Sequence, residues 1–341
     1  MTERLSAAEA LNEIAYWLER DLQSSFKTKA FRKAAGIISA WSADDLAERR
    51  ADGRLKSTKG IGDTTYAVIV QAVDGAVPDY LADLRDRLDK PLTTAGAELR
   101  AQLKGDLHSH TDWSDGTTGI TLMGDTARWL GHEYLVISDH SPHLRVANGL
   151  DPARLRQQLD EIDEYNSGSA RGFESLSGVE VDILDDGSLD QDPAMLERLD
   201  IVVASVHSKL KAEAGVMTAR MLGGIRHPRT NVLGHVTGRL VQGSRGTRPQ
   251  SSFDARAVFE ACVENDVAVE INSRPERQDP PDDLLALAVE IGCLFSIDSD
   301  AHAPGQLGFV DLGAARAEAA GIPAERIVTT WSRERLMDWA R

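Results

Sequence analysis

Two histidines and an aspartate open the chemistry of this chain. In GDLHSHTDWSDG (residues 105–116), His108 and His110 stand two apart, so on a strand both imidazoles project from one face. Asp115 follows on a turn that Gly116 ends. Neutral imidazole nitrogen and carboxylate oxygen suit Zn, Mn or Fe rather than Ca. Alone, the stretch reads equally as a strand end with solvated polar residues, so partners downstream must decide. They come in order: His140 closes LVISDH, Glu180 lies in SGVEVDI, His207 closes IVVASVH, His235 follows VLG, and Asp300 and His302 close FSIDSDAH. Six of the nine histidines therefore end apolar runs, with carboxylates in matching places, which argues for a metal site.

The elements that must position these groups alternate from residue 105 onward. Strands are expected at 105–110, 133–140, 176–184, 200–207, 231–236, 267–272, 294–300 and 326–330. Helices are expected at 121–130, 152–165, 193–199, 212–225, 252–265 and 281–291. Repeated βα units imply an α/β fold with a parallel barrel, whose active sites assemble at the C-terminal strand ends. Residues 91–104, with one proline and small residues, read as a linker.

Composition narrows the field. The 341 residues are 42% hydrophobic and 27% charged, as in ordinary globular proteins. No apolar run reaches the roughly 18 residues of a membrane span, and the acidic, amphipathic N-terminus does not follow the plan of a signal peptide. A cytoplasmic protein without membrane contact is expected. Cys262 and Cys293 form no CxxC and read as core residues. The net charge of −16 is uneven: residues 1–90 carry 14 Lys and Arg against 15 Asp and Glu, so the deficit lies downstream. Metal ions at a carboxylate-rich site would offset part of it.

The N-terminal portion reads as helical. Residues 25–40 place Phe26, Ala30, Phe31, Ala34, Ile37 and Ile38 on one face and Lys27, Lys29, Arg32 and Lys33 on or near the other. Lys59, Gly60, Ile61 and Gly62 then form a tight turn between two short helical patterns, where backbone amides can meet a phosphate without reading sequence. This resembles a helix-hairpin-helix. With AFRKAA before it, residues 1–90 resemble the small all-α domain of family X DNA polymerases, and DNA is the partner this implies. In relatives with deoxyribose-phosphate lyase activity a lysine on the helix after the hairpin forms the Schiff base. The matching position here is Val68, so docking rather than lyase chemistry is expected. The linker leaves no room for a polymerase palm.

From residue 105 to the C-terminus, HSHTDWSDG, ISDHS, GVEVDI, ASVHS, LGHVTGR, EINSRPERQD and IDSDAH follow in order. This resembles the PHP (polymerase and histidinol phosphatase) superfamily, nearest the PHP domain of bacterial family X polymerases. The resemblance implies a distorted (βα)7 barrel over 105–341 holding two or three divalent ions, Mn or Zn with Fe possible, and hydrolysing phosphate esters. It implies one ion on His108, His110, Glu180 and Asp300, a second bridged by Glu180 and completed by His207 and His235, and a third on Asp115, His140 and His302. A water activated by Glu180, His207 and His235 as metal ligands would attack phosphorus. Arg277, Arg274 and Arg239 are expected on the phosphate, with Asn272 and His143 near the substrate and Asp139 and Asp298 behind the ligands. The hairpin favours a DNA phosphodiesterase, a 3′-5′ exonuclease or abasic-site endonuclease. The acidic balance and Val236, where the family has proline, leave a phosphatase of small monoesters as the alternative.

Overall fold

Period-two alternation builds the larger of the two units into which the chain divides, the one beginning at Leu92. The structure, a computed structural model, describes residues 5–169, 172–243 and 246–341. Seven parallel strands run in sequence order: β1 (Gly105–Asp106), β2 (Tyr134–Ile137), β3 (Glu174–Asp182), β4 (Ile201–Ser205), β5 (Val232–Leu233), β6 (Ala268–Asn272) and β7 (Phe295–Asp298). A bridge between Ser109 and Ala301 brings the last strand back to the first, with the His110 amide donating to the Ala301 carbonyl at 2.8 Å. The sheet is thus a nearly closed α/β barrel.

Parity along each strand sorts side chains between two compartments. In β2, Leu135 and Ile137 join the layer beneath the outer helices, while Tyr134 and Val136 fill a second cluster with Leu176, Ile201, Val203, Val232 and Ala268. That second cluster is closed below by Val328, Trp331, Leu336 and Ala340. The same parity carried upward turns apolar positions into chemistry: Val136–Ser138–His140, Leu176–Gly178–Glu180, Val203–Ser205–His207 and Ala268–Glu270–Asn272. Hydrocarbon fills the floor and ligand-type groups fill the mouth.

Helices supply the crossovers that parallel strands require. The first unit, ending at Pro91, holds α1 (Ala7–Arg20), α2 (Ser25–Ser39), α3 (Ala43–Ala51), α4 (Arg54–Ser57), α5 (Asp63–Val73) and α6 (Asp79–Leu88). In the second unit a short α7 (Ala97–Arg100) precedes β1. It is followed by α8 (Ile120–Trp129), α9 (Pro152–Gly168), α10 (Pro193–Leu196), α11 (Ala214–Ile225), α12 (Ala255–Glu264), α13 (Asp282–Ile291), α14 (Val310–Ala319) and α15 (Arg333–Ala340).

Two expectations change. Residues 92–104 are not a free connector: the Leu92 and Gly96 amides donate to Asp311 and Glu318, and Arg100 pairs with Asp311 at 3.0 Å. The strand expected at 326–330 is instead a pair of 3-10 turns, Ala324–Arg326 and Val328–Thr330, meeting the sheet through the Phe295–Ile327 bridge and through the Ile297 amide, which donates to Thr329 Oγ1 at 3.1 Å. Its apolar residues are spent on plugging the floor rather than on pairing. Cys262 and Cys293 are both free thiols buried in the core.

In the first unit, α1 is closed by a capping box in which Ser6 and Glu9 satisfy each other's amides. Its far end is tied down by Arg20, which donates to the Leu88 and Lys90 carbonyls. Lys59 is exposed on the turn between α4 and α5, and Ile61 is buried beneath it. Gly60 has φ +103°, and a Cβ there would press on Lys33 and Ile37 of α2 at 2.8 Å, so the turn lies against that helix. The Gly62 amide donates to Thr65 Oγ1 at 2.9 Å. Arg32, expected on the basic face of α2, is instead committed to Glu19 and Asn12. Among the described residues no helix is long and apolar enough to cross a membrane.

Candidate metal centre

Glu180 stands at the centre of the barrel mouth, 1% exposed, with five imidazoles around its two oxygens. Oε2 lies 3.3 Å from His108 Nε2, 3.5 Å from His110 Nε2 and 2.9 Å from His140 Nδ1. Oε1 lies 3.1 Å from His207 Nε2 and 2.8 Å from His235 Nε2. A second carboxylate, Asp300, stands 3.5 Å from His110 Nε2 and 3.5 Å from His302 Nδ1. Asp115 is the third, with Oδ1 3.6 Å from His140 Nε2, 3.4 Å from His302 Nε2 and 4.0 Å from His110 Nδ1. All nine expected ligands therefore meet at one end of the barrel.

Three overlapping groups of donor atoms each fit within 4.8 Å: His108, His110 and Glu180; His140, Glu180 and His207; and His110, Asp115, His140 and His302. This partition differs from the three sets implied by resemblance. His110 and His140 each turn one ring nitrogen toward Glu180 and the other toward Asp115, so they join two groups rather than one.

The donor set fits divalent ions on an observation independent of any relative. His108 Nε2, both nitrogens of His110, His140 Nδ1, His207 Nε2 and His235 Nδ1 are buried without a hydrogen-bond partner. A buried polar atom left unpaired costs roughly 1–3 kcal/mol, so several lone pairs converging on one point imply a bound cation. Without one, the imidazoles are driven in opposite directions. Burial and then the neighbouring His302 and His140 lower His110 to about 3. Burial also opposes a charge on His207, but Glu180 and Asp182 outweigh it and leave that ring at about 9.

Behind the ligands lies a layer of carboxylates, in which Asp139 and Asp298 were expected and Glu270 and Asp182 were not. Glu270 on β6, fully buried, sits 2.6 Å from His108 Nδ1 and also accepts the His235 amide. Asp182 at the end of β3 sits 3.2 Å from His207 Nδ1. In each case the carboxylate accepts a hydrogen bond from Nδ1–H, fixing the tautomer whose Nε2 faces Glu180. The signal was present as same-parity acids in EIN and VEVD, one strand step from the mouth. Asp139 accepts from the Thr111 amide and hydroxyl, Ser114 and Gln158, fixing the loop that carries Asp115. Asp298 accepts the Leu107 amide and the Ser296 hydroxyl beneath β1.

The expected substrate-binding residues separate. Arg277 lines the cleft, with Nε donating to Asp300 Oδ2 at 2.9 Å and Nη1 buried without a partner. Arg274 Nη1 lies 2.9 Å from His302 Nδ1 and donates to the Asp300 carbonyl. Asn272 orients Asp300 through a 3.1 Å bond. Arg239 is not among the residues lining the cleft: its guanidinium donates to the Arg277 and Gln278 carbonyls, holding that loop. His143 is exposed and lines a different depression, with Asp185, Asp186 and Lys209. Arg248, not expected from sequence, lines the cleft from the 241–250 segment, of which residues 244 and 245 lie outside the described residues.

A barrel whose mouth gathers this many imidazoles and carboxylates defines a metal-dependent hydrolase. Residues 106–274 match the PHP domain, and the chain belongs to that family. It is 39% identical over 201 residues to the DNA polymerase/3'-5' exonuclease PolX of Bacillus subtilis, covering 59% of this chain but only 34% of that protein. This chain therefore spans about a third of that relative's length. A probable phosphatase of Vibrio parahaemolyticus is 31% identical over 244 residues, covering 67% of this chain and 90% of the relative. Among solved structures, histidinol phosphate phosphatase of Lactococcus lactis, complexed with zinc, L-histidinol and phosphate, is 17% identical with a TM-score of 0.45, covering 64% of this chain and 94% of that one. The bonds this protein hydrolyses are phosphate esters.

Proposed function

We propose that this protein is a divalent-metal-dependent phosphodiesterase acting on DNA, as a 3′-5′ exonuclease or abasic-site endonuclease. The observation that carries the hydrolytic half is the convergence of orphaned buried nitrogens of His108, His110, His140 and His207 on Glu180. In this reading two or three Mn or Zn ions occupy the mouth, held by His108, His110, Asp115, His140, Glu180, His207, His235, Asp300 and His302. Bound there, they lower the pKa of water and neutralise phosphate charge. The chain's own residues do the rest. Glu270 and Asp182 hold the tautomers of His108 and His207. Asp139 fixes the Asp115 loop, and Arg277, anchored on Asp300, turns its unpartnered Nη1 to a phosphoryl oxygen.

The DNA half rests on the first unit and on the similarity to PolX. Exposed Lys59, beside Gly60, Ile61 and Gly62, forms a helix-hairpin-helix edge toward the phosphate backbone. Phe26, 82% exposed, stands with Lys27 at a depression that Gly60 and Gly62 also line. An exposed aromatic beside a lysine and a glycine turn suits a base and its phosphate. Val68, 1% exposed on α5, is enclosed by core and has no place for a Schiff-base lysine. The second reading, a phosphatase of small monoesters, is favoured by the similarity to probable phosphatases over most of their length and by the charge of −16.

A substrate panel with Mn-loaded and chelated full-length protein decides between them. It contains recessed and single-stranded 3′ ends, an abasic duplex, histidinol phosphate and nucleoside monophosphates. Cleavage of DNA is expected, and Lys59→Glu should weaken DNA binding at every sequence and reduce the salt slope by about one. Efficient monoester hydrolysis with intact DNA overturns the proposal in favour of the second reading.

A further inference from the structure

Beyond its candidate ligands, the cleft has walls with a chemical character of their own. Its volume is about 290 Å³, and its remaining described lining is Leu144, Val146, Ala147, Val206, Arg248 and Arg277. Every carboxylate in the described lining already faces an imidazole or arginine: Asp115 meets His140 and His302, Glu180 meets the histidine cluster, and Asp300 meets Arg277. None is left over to pair with an ammonium group on a substrate. An unpaired charge in such a site is strongly disfavoured.

The aliphatic residues are placed rather than left over. Val146 is 92% exposed, on the 3-10 turn Arg145–Ala147. That turn is pinned at both ends to the centre: the Ser141 amide donates to the Glu180 carbonyl at 3.0 Å and the Leu150 amide to the His140 carbonyl at 2.7 Å. Asn148, at φ +57°, donates through Nδ2 to the Trp113 carbonyl. A rigid turn thus holds an apolar side chain in water beside the site. Arg248 is equally fixed: its backbone exchanges two 2.9 Å bonds with Leu240, and its Nε donates to the Gly238 carbonyl at 2.7 Å.

We infer that the Leu144–Ala147 turn and Arg248 determine specificity, selecting phosphate esters that carry a neutral ring and a second phosphate, as in a nucleotide chain, and rejecting phosphate esters of amino alcohols. The ring rests on Leu144 and Val146, the reacting phosphate meets Arg277, and the adjoining phosphate meets Arg248. This rests on the phosphoesterase reading of the centre but not on DNA being the substrate.

The test measures competitive inhibition of p-nitrophenyl phosphate hydrolysis by the Mn-loaded full chain. The inhibitors are thymidine 5′-monophosphate, the 5′-phosphorylated thymidine dinucleotide and L-histidinol phosphate. The dinucleotide should bind about tenfold more tightly than the monophosphate, and histidinol phosphate at least about tenfold more weakly than either. Arg248→Ala should close the gap between dinucleotide and monophosphate, with Arg248→Lys restoring part of it. Val146→Asp should weaken both thymidine compounds about tenfold relative to histidinol phosphate. Tighter binding of histidinol phosphate than of thymidine monophosphate by the wild type, or an equal shift of all three constants in both variants, overturns the inference. The predicted ranking together with uncleaved DNA in the substrate panel leaves this inference standing and removes only the DNA reading.

Discussion

Glu270 shows how much a metal centre depends on residues that do not face the substrate. Its carboxylate touches His108 through the side chain and His235 through the backbone, coupling two strand ends that lie far apart in sequence. Asn272 adds a third bond at 3.2 Å. Replacing it with glutamine keeps the shape and removes the charge that makes the His108 ring a better donor. Glu270→Gln should therefore lower the affinity for Mn or Zn about tenfold or more while leaving the fold intact. Calorimetric metal titration beside a circular dichroism spectrum checks this, and unchanged affinity would show that Glu270 serves packing alone. The ligand types were legible in the sequence because histidines ending apolar runs are conspicuous. Glu270 was not, because an acid inside a strand reads as a solvated face until the barrel closes around it.

At the scale of elements, the turns decide which groups reach the mouth. Strand order, parallel pairing and the apolar floor all follow from patterning, and the strands expected between residues 105 and 300 are those that form the sheet. What patterning could not give was the destination of segments outside that alternation. Residues 326–330 have the composition of a strand but lie under the barrel as 3-10 turns, because seven strands already close the sheet. Arg239 has a commitment that its sequence neighbourhood does not announce: its guanidinium serves a loop whose carbonyls need a donor. The Leu144–Ala147 turn depends on Gly149, where a Cβ would come 1.8 Å from the Ser141 carbonyl oxygen. Gly149→Ala must push that backbone away from Glu180, at a cost of about 2–4 kcal/mol. A urea midpoint lowered accordingly, with weakened catalysis in the folded fraction, is the expected result.

For the whole molecule, stability and charge meet in one residue outside the site. His132 is 4% exposed, neither ring nitrogen has a hydrogen-bond partner, and burial with nearby Arg100 lowers it to about 3. The unfolded chain takes up a proton near pH 6.5 that the folded chain refuses until about pH 3. The stability this ring contributes is therefore full above pH 6.5 and is lost as pH falls toward 3, with an upper bound of about 5 kcal/mol. His132→Phe should flatten the decline in urea-derived stability between pH 6.5 and 4. An unchanged slope would place the acid sensitivity elsewhere, in the carboxylates of the mouth.

The two-residue parity of the strands acts as a reading frame. In β2, β3, β4 and β6 the side chains that fill the floor and those that gather at the mouth occupy the same frame, so losing one residue between them leaves only one of the two sets facing inward. Either core or centre is then lost, whereas a length change between strands spares both. Divergence in this barrel is channelled accordingly: the strands can change letter by letter, and only the connections can grow or shrink.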